Sequence, residues 1–170
     1  MQSLLAQGEY NPYYGSFIDK AESNNIIEGL QLGKKKFIDF VNAIPKEKLT
    51  YAYEDGKWTI AEVIQHIIDT ERIFSYRALR FARKDQEPLI GFDQDAYVPN
   101  SNANTYSAEE LIEDFEAVRN SSITLYKRFT TDMLTQIGEA SGSPMSTRAA
   151  GYILSGHQNH HVEVIKERYL

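Results

Sequence analysis

Twice along the chain a hydroxyl residue is followed three positions later by glutamate and then by a periodic apolar run, at Thr59-Ile-Ala-Glu62 and at Ser107-Ala-Glu-Glu110. In such a box the hydroxyl oxygen accepts from the glutamate N–H while the carboxylate reaches back to the N–H of the cap, satisfying two donors that a helix start leaves orphaned. Trp58 with Val63, and Tyr106 with Leu111, bracket the two starts as hydrophobic staples. A third start, Asn25-Ile-Ile-Glu28, opens a segment whose Ile26, Leu30, Phe37, Val41 and Ile44 share one face until Pro45 stops it, with Gly29 and Gly33 weakening it locally. A fourth helix begins at Ser146 or Thr147, after the breaker Gly142-Ser-Pro144, and runs to the C-terminus. Helices are therefore expected at about 25–44, 59–84, 107–131 and 146–168.

Alternating Val/Ile/Thr runs closed by Asn-Gly or Asp-Gly are absent, so the expected fold class is all-α. Four helices of roughly 17 to 26 residues are about 25 to 39 Å long, a length suited to lying side by side in a bundle. The connection from Asp85 to Tyr106 is too long for a plain turn. Phe92 and Tyr97 within it predict an ordered crossover or lid. No repeat or linker-like composition divides residues 1–170, so a single domain is expected.

With 42% apolar and 25% charged residues, the chain can bury a core. Its net charge of −6 works against the counterion release that drives nucleic-acid binding. No stretch approaches the 18 or more consecutive apolar residues of a membrane span. The start, Met1 to Glu9, lacks the basic and long apolar regions of a signal peptide, so a cytoplasmic protein with neither nucleic-acid nor membrane partners is expected. There is no cysteine, which excludes disulfides, thiolate nucleophiles and Cys-based metal sites and leaves the four histidines and the carboxylates as strong metal ligands.

Three of those histidines lie in Gly156-His157-Gln-Asn-His160-His161. On a helix, positions i and i+4 are about 40° apart and roughly 6 Å along the axis, so His157 and His161 can converge on one ion. His160 falls about 60° from His157 and 100° from His161, on the flank of that pair. Alone, a His-x-x-x-His pair arises often by chance. His66 lies among Ile64, Ile67, Ile68 and Ile73, on a stretch apolar around most of its circumference. Two readings stand for it: a core histidine hydrogen-bonded to a neighbouring helix, or the third member of an open three-His metal site.

The string Lys57-Trp58-Thr-Ile-Ala-Glu62-Val-Ile-Gln-His66-Ile-Ile-Asp69-Thr-Glu71-Arg72-Ile-Phe resembles the first motif of the DinB-like (DinB/YfiT-type) superfamily of bacterial four-helix-bundle metal proteins. Gly156-His157-Gln-Asn-His160-His161-Val-Glu-Val-Ile-Lys-Glu-Arg-Tyr resembles its last. The run Gly91-Phe-Asp-Gln-Asp-Ala-Tyr and the opening Glu9-Tyr-Asn-Pro-Tyr-Tyr are similar to those of one branch, so the likeness spans nearly the whole chain. It implies an up-and-down-related bundle holding a divalent metal, commonly zinc or nickel, on His66, His157 and His161. The superfamily includes bacillithiol S-transferases, mycothiol-dependent isomerases and proteins described as metal-dependent hydrolases, and related bundles often pair as homodimers.

Two functional classes follow. One is an enzyme in which the metal site activates a low-molecular-weight thiol or water against a small-molecule substrate, as S-transferase or hydrolase. The other is a non-catalytic, metal-stabilised structural or stress-response bundle, whose closed site would need a fourth ligand such as Asp69 or Glu163. Asp69 and Thr70 are candidates to orient His66 or a metal-bound water, or else ordinary helix-surface groups; His160 is a further catalytic candidate. Asp93, Asp95 and Tyr97 either contact substrate from the loop or, for the two aspartates, turn its backbone. Arg72, Arg77, Arg80 and Arg83 read mainly as a solvated face, with an anion clamp as the alternative. Tyr10, Tyr13 and Tyr14 are expected to pack the amino-terminal segment across the bundle. Since only neutral imidazoles ligate, metal loss is expected below about pH 6.

Overall fold

Both capping boxes form. Thr59 Oγ1 accepts from the Glu62 N–H at 3.2 Å while Glu62 accepts from the Thr59 N–H at 2.8 Å, and Ser107 and Glu110 do the same. The computed structural model describes residues 5–170, so part of the amino-terminal stretch considered above lies outside the described residues. Its helices are α1 (Gly15–Asp19), α2 (Ile26–Asn42), α3 (Ile60–Ala82), α4 (Gln94–Tyr97), α5 (Ala108–Tyr126), α6 (Thr131–Thr135) and α7 (Thr147–Arg168). The four long ones, α2, α3, α5 and α7, match the four segments read from the sequence. None is long and apolar enough to cross a membrane.

One helix boundary is corrected, and a short hairpin is added to the helical fold. The third helix does not reach residue 131: α5 ends at Tyr126, and Thr130 starts the separate α6 by accepting from the Met133 N–H, a local bond that competes with continuing a helix. The chain is also not wholly helical. Strands β1 (Ile137–Ala140) and β2 (Ser143–Ser146) pair antiparallel, with Ala140 opposite Ser143. The turn between them is Ser141-Gly142, with φ of 53° and 71°, the positive values of a two-residue type I′ hairpin turn. Tyr10 bridges to Met145 on one edge of this hairpin and Leu89 to Ala140 on the other, so it collects the amino-terminal segment and the long connection.

That connection carries α4 and two short 3-10 turns. It leaves the C-terminal end of α3, docks at Leu89, and reaches Asn104, which accepts from Thr59 Oγ1 and donates to Glu62 at the N-terminal end of α3. It thus retraces the full length of a 23-residue helix, about 34 Å. The result is that α3 and α5 run parallel, as the cross-helix pairs Glu71–Arg119 and Ser75–Ser122 confirm. Helix α7 is antiparallel to α3, because its C-terminal Tyr169 hydroxyl donates to the Trp58 carbonyl. Around the bundle the order is α2, α5, α3, α7, which places successive α2 and α3 on a diagonal. This replaces the up-and-down order, in which successive helices would be neighbours.

The core is in two parts. One cluster, around Phe37, Ile64, Ile68, Phe115 and Ile165, fills the end of the bundle near the start of α3. The other, around Ile18, Phe74, Phe81, Met145 and Ile153, fills the end beneath the hairpin. Between them runs a buried polar layer. Arg119, fully buried, meets both carboxylate oxygens of Glu71 at 2.7 Å and donates to the Leu30 carbonyl, and Gln158 donates to the Gly33 carbonyl. His66, Thr70 and His157 are buried polar groups as well.

Candidate metal centre

Helices α3 and α7 carry the histidines to one point. His66 Nε2 lies 3.1 Å from His157 Nε2, and His161 Nε2 lies 3.0 Å from the same atom. All three nitrogens fall within 4.8 Å of one another. Nitrogens bound tetrahedrally at 2.0–2.1 Å from one ion would be about 3.3 Å apart, so the arrangement fits a divalent cation. A single hydrogen on His157 Nε2 could bridge to only one of its two neighbours, whereas an ion accepts all three lone pairs. Imidazole nitrogen suits zinc and nickel alike.

The rings are held from several sides. Trp58, just before the α3 capping box, packs on His66 with centroids 4.9 Å apart. Phe17 of α1 meets His157 edge-on at 5.3 Å and His160 at 5.1 Å. This approach depends on Gly156, where an added Cβ would lie 1.7 Å from the Phe17 carbonyl oxygen. Burial pushes His66 down to about 4. It pushes His161 down to about 3, aided by His66 and His160, and it pushes His157 well below the usual imidazole range, aided by the other three histidines. All three rings are thus neutral at pH 7, the form that ligates. Among the described residues no carboxylate joins the group. Asp69 accepts from Gln65 and Arg72, and Glu163 pairs with Lys20 at the surface, so neither carboxylate considered above completes a closed four-ligand site.

The centre opens into a cavity of about 430 Å³. Thr70 lines it, one turn from His66 on the same face, and its buried Oγ1 has no hydrogen-bond partner. His160 lines it too, half-buried, with burial and Lys20 lowering its pKa against the pull of Glu163 and Glu167. Asp69 does not, because i+3 places it about 60° to the other side of His66. Asp93, Asp95 and Tyr97 are exposed and do not line the cavity: Asp93 caps α4 by accepting from the Asp95 and Ala96 N–H groups, the backbone-turning alternative given for it above, and the loop sends Phe92 and Gln94 into the cavity. Tyr10 packs the amino-terminal segment onto the hairpin as expected, but Tyr13 and Tyr14 line the cavity mouth.

Arg77 stands apart from the other arginines of α3. Arg72 pairs with Asp69 and Asp114, and Arg80 with Asp85, as a solvated face would. Arg77 instead is only 2% exposed and lines the cavity at the end away from the histidines. The available signal was its spacing of 11 residues from His66, which on a helix returns to within about 20° of the same face.

These features define a class: a helical bundle with a candidate three-histidine metal centre, built across two antiparallel helices and open on one side. The chain belongs to the DinB superfamily, which it matches over residues 30–165. It is 28% identical over 129 residues, 74% of this chain and 73% of the relative, to a candidate metal-dependent hydrolase of Oceanobacillus iheyensis. In three dimensions it is similar to YfiT from Bacillus subtilis, described as a candidate metal-dependent hydrolase with an unusual four-helix bundle topology. That match has a TM-score of 0.73 at 18% identity and covers 86% of this chain and 88% of that one. A mycothiol-dependent maleylpyruvate isomerase shares the fold at a TM-score of 0.63 and 11% identity, over 85% of this chain and 59% of that one.

Proposed function

We propose that the protein is a metal-dependent enzyme in which His66, His157 and His161 hold one divalent ion, zinc or nickel, and that it hydrolyses a small-molecule substrate bound in the cavity. The observation that carries this reading is the approach of the three Nε2 atoms, at 3.1 and 3.0 Å, inside a cavity rather than a closed core. The name given to the Oceanobacillus relative supports it. A bound ion would supply Lewis acidity and a lowered pKa for a coordinated nucleophile. His160, neutral and facing the cavity, accepts the proton that the nucleophile loses. Thr70 Oγ1 hydrogen-bonds the nucleophile or the reacting group. Phe17 beside the histidines, and Phe74 and Phe92 beside Arg77, wall the cavity against bulk water.

Thiol transfer is the second reading. A volume of about 430 Å³ far exceeds the roughly 30 Å³ share of one water. It leaves room for a low-molecular-weight thiol beside its electrophile, and a chain without cysteine must take the thiol from outside.

Protein purified without a nickel column should contain about one metal per chain, and His157→Ala should contain none. A panel of esters and amides, run with and without small thiols, should show turnover that His66→Ala reduces by at least about 100-fold, the scale of a lost Lewis acid. A metal content far below one per chain would sink the reading. Thiol-dependent turnover would select transfer over hydrolysis, and full metal with no turnover on any substrate would favour a scaffold.

A further inference from the structure

Arg77 is a buried cation without a carboxylate. Its guanidinium donates to Ser141 Oγ at 3.0 Å and interacts with the Tyr14 hydroxyl, and among the described residues it forms no ion pair. It lies over the rings of Phe74, at 4.9 Å, and Phe92, at 5.8 Å. Arginine does not shed its charge, and a desolvated charge left unpaired is costly, so a site of this kind is completed by an anion. A second, independent observation is the unpartnered Thr70 Oγ1, 5% exposed and lining the same cavity between His66 and Arg77. Three elements meet at Arg77: α3 supplies it, the hairpin turn supplies Ser141 in a left-handed conformation that a serine rarely adopts, and the long connection supplies Phe92.

We propose that Arg77, steered by Ser141 and Tyr14, is the docking point for a carboxylate of the substrate, so that this cavity takes elongated monocarboxylates with the reacting group at the opposite end. The proposal rests on the enzyme reading above for what happens at the histidine end, though not for the binding of the anion. A carboxylate fits better than a phosphate because one guanidinium matches one negative charge, whereas a phosphate monoester carries about −1.5 to −2 at pH 7. Eleven helical residues separate His66 from Arg77, about 16 Å between their Cα atoms, so carboxylate and reacting group are well separated on the ligand. Thr70, one turn from His66, lies toward the reacting end of such a ligand.

The test is calorimetric titration of hexanoate, hexanamide and hexyl phosphate into the protein as purified and again after chelator treatment. Hexanoate should bind in both states, at least 10-fold more tightly than hexanamide and more tightly than hexyl phosphate. Arg77→Met should weaken hexanoate at least 10-fold. It should not lower the melting temperature, because it removes an uncompensated buried charge. Ser141→Gly relieves the left-handed backbone and removes only the steering hydroxyl, so it should weaken hexanoate several-fold in a stably folded protein. Equal binding of hexanoate and hexanamide, tighter binding of the phosphate, or full hexanoate affinity in either variant would overturn the proposal. Because the chelated protein is measured too, loss of the metal reading leaves this result standing or falling by itself.

Discussion

At the scale of single residues, burial does opposite things to the groups of the cavity. It keeps imidazoles neutral and leaves a hydroxyl and a guanidinium short of partners. In the unfolded chain each histidine takes up a proton as pH falls through about 6.5. In the fold His66 and His161 stay neutral down to about 4 and about 3. Between those limits the unfolded state binds more protons, so metal-free protein loses stability as pH falls from 7 toward 4. A urea midpoint that does not fall from pH 7 to 5 would contradict this. The same lowering moves metal release below the pH 6 expected for free imidazoles: dialysis should leave the metal in place at pH 5 and remove it near pH 4. Thr70→Val tests the unpartnered hydroxyl. Leaving such a group buried costs about 1 to 3 kcal/mol, so valine should raise the melting temperature or leave it unchanged while lowering turnover.

At the scale of elements, the contact of α1 with α7 permits almost no side chain at Gly156. Gly156→Ala must push the Phe17 carbonyl away, at a cost of about 1 to 3 kcal/mol by analogy with overpacked cores, and it should loosen the packing of Phe17 on His157 and His160. A lower melting temperature together with weaker metal retention is the expected result, and an unchanged melt would refute it. What the sequence reveals divides along the same line. The starts of α3 and α5 are legible because a capping box is complete within four residues, and the His157–His161 pair because it shares one helix face, whereas His66 joins that pair only through the resemblance of the motifs. The hairpin is not, since its strands are four residues long and its turn signal, Ser141-Gly142, merges with the breaker before α7. The path of the crossover depends on where Leu89 and Asn104 dock, which no local pattern encodes. Arg77 shares a face with His66, but only tertiary structure shows that the hairpin covers it while Arg72 and Arg80 remain at the surface.

At the scale of the whole molecule, the buried Glu71–Arg119 pair lies between the two apolar clusters and ties α3 to α5 and, through Leu30, to α2. Arg119→Met would strand Glu71 in the interior, and removing one partner of a buried pair costs about 3 to 5 kcal/mol. Denaturant unfolding should show that loss, while the double change Glu71→Gln with Arg119→Met should recover much of it. If the single and double variants are equally unstable, the pair is not what links the two halves of the core.

The parallel course of α3 and α5, and the wait for α7 that it imposes, has a consequence for synthesis. A chain emerging from a ribosome presents His66 and must then extend by 91 residues before His157 can meet it. Through that interval the imidazole of His66 is a solitary ligand, too weak to retain an ion by itself. On the proposed function, metal would therefore enter a chain whose crossover and hairpin have already been made, and loading would report that the bundle is complete.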